Sequence, residues 1–168
     1  MPLQHWKVRP LSASATAPVV PTVYKLNRVI LCRTFAIFRE CGRGCRECQV
    51  LWTSSLDTPD IITCAIHSMH RASEDGNVLD EDWLSEFWFA LSEKNMVLRV
   101  QVHTHPKLAF HSATDDRSPM VRAPGFLSLV IPNFGLGPIG FEGTYLAEIQ
   151  ADGSWQQTSI ASRLTLID

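Results

Sequence analysis

The sequence predicts an α/β fold in which helices pack on a single mixed β-sheet. Three observations carry this. Leu84, Phe87, Trp88 and Leu91 recur at i, i+3, i+4 and i+7, the spacing of one wide apolar helix face. Short β-rich runs lie on both sides of it, at 45–53, 61–66, 96–102, 126–131 and 145–149. The chain has 168 residues, 45% hydrophobic and 19% charged, which is enough for one proper core. No repeat or second domain is visible, so residues 23–168 read as one domain.

Residues 1–22 read as a flexible or extended arm. Pro2, Pro10, Pro18 and Pro21 interrupt them, and the small residues at 12–17 have little to bury. From Leu26 to about Cys41, Val29, Ile30, Leu31, Phe35, Ile37 and Phe38 suit a helix, with Gly42 and Gly44 ending it. In 45–53, Cys48, Val50 and Trp52 alternate with Glu47, Gln49 and Leu51, as on a strand. The run at 61–66 follows the turn-like Asp57-Thr58-Pro59-Asp60 and reads as another strand. Residues 73–77 form a loop. Asp80 caps the long helix, with Glu81 and Asp82 in its first turn. From Met96 to Val102, Leu98, Val100 and Val102 alternate with Val97, Arg99 and Gln101. After the loop with Pro119 and Pro124 come the apolar strand at 126–131 and a Gly/Pro-rich loop at 132–138. Asp152-Gly153 then turns the chain between a strand at 145–149 and its partner at 155–160.

The chemistry concentrates at His103-Thr104-His105-Pro106, followed by Ser112-Ala113-Thr114-Asp115-Asp116. On a strand, residues i and i+2 share a face, so His103 and His105 project side by side. Two imidazoles and one carboxylate make a three-ligand set that leaves a fourth position on zinc open. Pro106 cannot donate to a sheet ladder, so the strand ends there and a loop leads to Ser112.

This stretch resembles the signature of the JAMM/MPN (Mov34, JAB) zinc metalloproteases, an upstream Glu, then H-[ST]-H-P, a short loop and S-x-x-D. The six residues between His105 and Ser112 make a loop one residue shorter than usual. Keeping S-x-x-D makes Asp115 the third ligand, whereas counting from His105 selects Asp116. The family's glutamate pattern, E-x-x-G-x-L-x-G, aligns with Glu47 but without its glycines, and Glu40 is the competitor.

The resemblance implies an MPN/JAB fold with a cytidine-deaminase-like layout from about Tyr24 to Ile160. It also implies Zn²⁺ on His103, His105 and Asp115, with Glu47 as general base and Ser112 as hydrogen-bond donor to the oxyanion. The implied activity is that of a deubiquitinase-like isopeptidase, or a precursor-processing peptidase. It cleaves after the C-terminus of a ubiquitin-like protein, in a bacterial pathway that includes antiviral defence. Ubiquitin-like conjugates are then the substrates, and E1-like and E2-like proteins belong to the same system. The alternatives are a catalytically silent MPN scaffold and a sulfur-carrier-processing metallopeptidase.

Other features point less far. A net charge of −2 gives no reason to expect nucleic acid or an anionic membrane as partner. The N-terminus lacks the apolar core of a signal peptide, and the expected location is cytoplasmic. Five cysteines do not complete a disulfide framework. Cys41, Cys45 and Cys48 read as small, partly buried thiols, because Cys32 and Cys64 stand apart and a closed zinc site wants four ligands. His67, His70 and His111 read as surface or substrate-facing histidines.

Overall fold

The computed structural model describes residues 21–72 and 77–168. The arm expected over 1–22 and the loop expected at 73–77 lie almost entirely outside those residues. The chain runs β1 (Tyr24–Asn27), α1 (Arg28–Gly42), β2 (Gln49–Ser55), β3 (Ile61–Ile62), β4 (Cys64–His67), β5 (His70–Ala72) and β6 (Asn77–Leu79). It continues with α2 (Glu81–Glu93), β7 (Met96–Thr104), α3 (Ala113–Arg117), β8 (Leu127–Ile131) and a 3₁₀ turn at Asn133–Gly135. β9 (Tyr145–Ile149), β10 (Trp155–Gln157), α4 (Ile160–Arg163) and β11 (Leu164–Ile167) complete it.

The dominant sheet has six strands in the order β10-β9-β8-β7-β2-β4. It is mixed: β7 and β8 run parallel, and the other pairs are antiparallel. A smaller sheet, β11-β1-β3, is parallel throughout, and β5 and β6 pair as a separate hairpin. No helix among the described residues is long and apolar enough to cross a membrane.

Both faces of the main sheet are covered. α1 lays Leu31, Phe35 and Phe38 on the face that carries Val50, Trp52, Val100 and Val102. These are i, i+4 and i+7 on the helix, and each such side chain contributes about 1.5–3 kcal/mol when fully buried. Trp52 donates its indole N–H to Thr34 Oγ1 at 2.8 Å, which joins helix to sheet. α2 lays Phe87 and Leu91 on the opposite face, against Leu51, Leu98 and Phe126. Asp80 caps α2, its side chain accepting from Trp83 N at 2.9 Å.

Several local expectations shift. The first helix starts at Arg28, not Leu26, because Tyr24 and Leu26 are buried as strand residues and Asn27 is the N-cap. Its side chain accepts from Val29 N at 2.7 Å. The run at 61–66 divides at Thr63, with β3 pairing to β1 and β4 to β2. The alternation in 96–102 is broken as well. Trp52 pairs with Val100 but Thr53 with Leu98, so Arg99 is an extra residue, a β-bulge. The bulge turns Leu98 toward α2, while Val100 and Val102 face α1. Arg99 stays buried there and donates Nε–H to Ser54 Oγ at 2.8 Å.

Candidate active site

The site forms where β7 ends. His103 is the penultimate residue of β7, and His105 follows Thr104, its last. His105 is nonetheless held as firmly as a strand residue. Its N–H donates to Ile131 O at 2.9 Å, and its carbonyl accepts from Phe134 N at 2.8 Å. The two imidazoles therefore project from adjacent places, with ring centroids 5.0 Å apart.

Asp115 arrives from the following loop on a device that is itself legible in the sequence. Ser112 is the N-cap of the short α3 and Asp115 is its third residue, a reciprocal capping box. Ser112 Oγ accepts from Asp115 N at 3.2 Å, and Asp115 Oδ2 accepts from Ser112 N at 2.7 Å. Asp115 Oδ1 lies 3.2 Å from His103 Nε2, and its Oδ2 lies 3.6 Å from His105 Nε2. One donor atom from each of the three residues falls within 4.8 Å of the others. Asp116 turns elsewhere, its Oδ1 2.7 Å from His111 Nδ1.

Glu47 reaches the same place from the other side of the chain. It is not within a strand, as the alternation at 45–53 predicts, but two residues ahead of β2. The cause is the end of α1. Arg43 and Gly44 take left-handed backbone conformations, φ 48° and 72°. Cys45 N and Arg46 N both donate to Gly42 O at 3.0 Å, which extends the turn and delays the strand. Glu47 is 7% exposed, and its Oε1 lies 3.9 Å from His105 Nε2. Glu40 sits on the exposed side of α1, where its charge acts on His67.

Thr104, between the two histidines, faces away from them and ties this segment down. Its Oγ1 accepts from Cys48 N at 2.9 Å, and its own N–H donates to Cys48 O at 3.1 Å. The residue after Glu47 is thus bonded twice to the residue between His103 and His105.

His111 is not at the surface. Its side chain is 4% exposed, packed 4.7 Å from the Trp155 ring and stacked on Tyr145, with its centroid 6.5 Å from that of His103. No local pattern marks this. The covering rings come from β9 and β10, more than thirty residues on.

Burial pushes His103 below its ordinary pKa, further than the neighbouring Asp115 pulls it up. The ring is therefore neutral at physiological pH, the form that ligates metal. Burial alone would raise Asp115, but the His103 and His105 rings and Ser112 more than reverse it. The carboxyl is held well below the usual carboxylate range. These three residues suit a metal ion on one further observation: among the described residues the buried His103 Nε2 makes no well-aligned hydrogen bond, and the group nearest to it in the site is the Asp115 carboxylate, 3.2 Å away. Two imidazole nitrogens and a carboxylate oxygen are a donor set typical of catalytic zinc, with one coordination position left over.

Comparison with known proteins finds similarity in fold and, over part of the chain, in sequence. No family model matches the chain. A relative named as a probable metalloprotease, y4jG of Sinorhizobium fredii, is 35% identical over 71 residues, which are 42% of this chain and 44% of the relative. The matched stretch thus spans less than half of either protein. The JAB1/MPN domain protein AF2198 from Archaeoglobus fulgidus superposes with a TM-score of 0.50 at 13% identity, covering 88% of this chain and 100% of that one. A structure described as JAMM, a metalloprotease-like zinc site in the proteasome and signalosome, gives the same figures: TM-score 0.50, 13% identity, 88% and 100% coverage. At such identity the two structures speak for the fold. The chain thus shares the fold of JAB1/MPN domain proteins, carries H-x-H-P at the end of β7 and S-x-x-D at the start of α3, and over 71 residues is similar to a probable metalloprotease.

Proposed function

We propose that this protein is a zinc-dependent peptidase of the JAMM type that cleaves a peptide or isopeptide bond after the C-terminus of a ubiquitin-like protein. The observation that carries the reading is the convergence of His103, His105 and Asp115 beside a buried carboxylate, Glu47, 3.9 Å from His105. His103, His105 and Asp115 would hold the ion. Zinc bound there would supply a water acidic enough to act near neutral pH and would polarise the scissile carbonyl.

The rest falls to the chain's own residues. Glu47 accepts the proton of the attacking water and returns it to the leaving amine. Its burial keeps competing water away from that transfer. Ser112 Oγ accepts from Asp115 N, so its own O–H is left to donate to the developing oxyanion. A donor of this kind typically contributes about 10²–10³ in rate. No thiol or hydroxyl serves as nucleophile, so no acyl-enzyme forms. Leu108 and Phe110 on the loop after His105 are exposed, and the Phe110 ring packs 4.7 Å from that of His105. They offer apolar surface to an extended tail entering the site. The resemblance supplies the ubiquitin-like substrate and its E1-like and E2-like companions, and a bacterial conjugation pathway remains part of the proposal.

The test is cleavage of an isopeptide-linked ubiquitin-like conjugate and of a linear ubiquitin-like precursor. Wild type is compared with Glu47→Ala and Glu40→Ala, with zinc content measured on each. The expected result is chelator-sensitive cleavage that is lost in Glu47→Ala with zinc retained, and kept in Glu40→Ala. Zinc-loaded wild type that cleaves neither substrate would overturn the ubiquitin-like assignment. Loss of cleavage in Glu40→Ala alone would overturn the role of Glu47.

A further inference from the structure

Four more metal-ligating side chains meet outside the site just described. Cys41 lies in the last turn of α1, and Cys48 immediately precedes β2. His67 ends β4, and His70 begins β5. Cys41 Sγ is 3.6 Å from His70 Nε2, and Cys48 Sγ is 3.4 Å from His67 Nε2. One donor atom from each of the four residues lies within 4.8 Å of all the others. The two imidazoles stand perpendicular, at 89°, with centroids 5.3 Å apart.

Two edges of the cluster have the length expected in a closed tetrahedral site. With Zn–S of ~2.3 Å and Zn–N of ~2.05 Å, a regular tetrahedron has S···N edges of ~3.6 Å. The Cys41–His70 and Cys48–His67 pairs measure 3.6 and 3.4 Å. The orientation of His70 agrees as well. Its Nδ1 lies 2.7 Å from Ser68 O and 3.1 Å from Ser68 Oγ. The carbonyl can only accept, so Nδ1 carries the proton and Nε2 presents its lone pair to Cys41. A backbone carbonyl on the distal nitrogen is the usual support of a metal-binding imidazole. Ser68 is itself buried and bonds through Oγ to Gln49 O at 3.2 Å, so this support is anchored in β2. Cys45 takes no part. It is exposed, and its thiol lies 3.6 Å from Gly42 O.

We propose that Cys41, Cys48, His67 and His70 bind a second divalent zinc ion, in a closed structural Cys₂His₂ site separate from the His103–His105–Asp115 centre. Two sulfurs and two imidazole nitrogens are a set that zinc takes tetrahedrally with no position open for substrate. Binding converts both thiols to thiolates and releases two protons, so the site as a whole is neutral. The ion joins the end of α1, the start of β2 and the link between β4 and β5. Glu47 precedes one of its ligands, and that ligand, Cys48, is bonded through its backbone to Thr104. The second ion thus braces the segment that carries Glu47 toward the first centre, with no part in the chemistry.

The test uses the full chain. Zinc is measured in wild type, in His103→Ala/His105→Ala and in Cys41→Ser/His70→Ala, with folding checked by circular dichroism. Two equivalents are expected in wild type and one in the folded His103→Ala/His105→Ala protein. Cobalt substitution separates the sites independently, because only the second contains sulfur. Cobalt-loaded wild type and His103→Ala/His105→Ala should both show the near-ultraviolet thiolate-to-cobalt charge-transfer band and the intense visible bands of tetrahedral cobalt. Cys41→Ser/His70→Ala should lose the charge-transfer band. A folded His103→Ala/His105→Ala protein without zinc, together with wild type lacking the charge-transfer band, would overturn the proposal. The four side chains would then be two hydrogen-bonded thiol–imidazole pairs. Peptidase activity does not enter this test, so the second site stands or falls apart from the proposed function.

Discussion

Replacing Thr104 by Val tests how the two halves of the candidate active site are held in register. Thr104 is fully buried, and its Oγ1 is the acceptor for Cys48 N at 2.9 Å. Valine keeps the shape and puts a methyl group where the oxygen was. The Cys48 amide is then left without that acceptor in a fully buried residue. An unsatisfied buried donor costs about 1–3 kcal/mol. For a domain of this size each kcal/mol lowers Tm by about 2–4 °C, so the expected drop is about 2–12 °C. Thr104→Ser is the control. It keeps the oxygen and deletes one buried methyl, at about 0.5–1.5 kcal/mol.

Because those two ranges overlap, the deciding assay is amide hydrogen exchange at Cys48. Thr104→Val should lose protection there and Thr104→Ser should keep it, with Tm measured alongside. Turnover should follow the same order, since Cys48 carries the position of Glu47. If Thr104→Val matches wild type in stability and in Cys48 protection, the hydroxyl is not what joins the two segments.

Three further outcomes are expected. Glu47→Gln keeps the volume of the side chain and removes its basic oxygen, so kcat should fall by about 10²–10⁴ with bound zinc unchanged; loss of zinc in this variant would make Glu47 a ligand instead of a base. Asp115→Asn can still cap α3 by accepting from Ser112 N, but it lacks the ligand charge; it should fold with one equivalent of metal fewer than wild type, and unchanged metal content would remove Asp115 from the ligand set. In metal-free protein, burial holds His103 below its ordinary value, and burial followed by the charge of His70 does the same to His67. The unfolded chain then takes up those protons first, so stability is complete above about pH 6.5 and falls as the pH drops below it. Asp115, also held low, adds a further loss below about pH 4. Urea midpoints of chelated protein at pH 8, 6 and 5 check this, and a flat series would refute it.

What the sequence by itself determined is what lies within one turn or one pleat. His103 and His105 share a face because strand side chains alternate. Ser112 and Asp115 meet because a capping box joins residues three positions apart, and Asp80 starts α2 for the same kind of reason. The apolar face of α2 was legible at Phe87 and Leu91, though Trp88 on the same pattern is 37% exposed.

Tertiary structure decided everything that joins distant segments. Glu47 reaches His105 across more than fifty residues, from a turn that the alternating pattern had read as strand. A bulge at Arg99 reversed the faces of β7, which no count of apolar residues reveals. β9 and β10 buried His111. Cys41, Cys48, His67 and His70 look unrelated along the chain, since three separate stretches supply them, and they become neighbours only when β4 pairs with β2 beside the end of α1. The physical reason is the same in each case. Backbone stereochemistry sets distances over three or four residues, whereas the pairing of strands and the packing of helices on them set the rest.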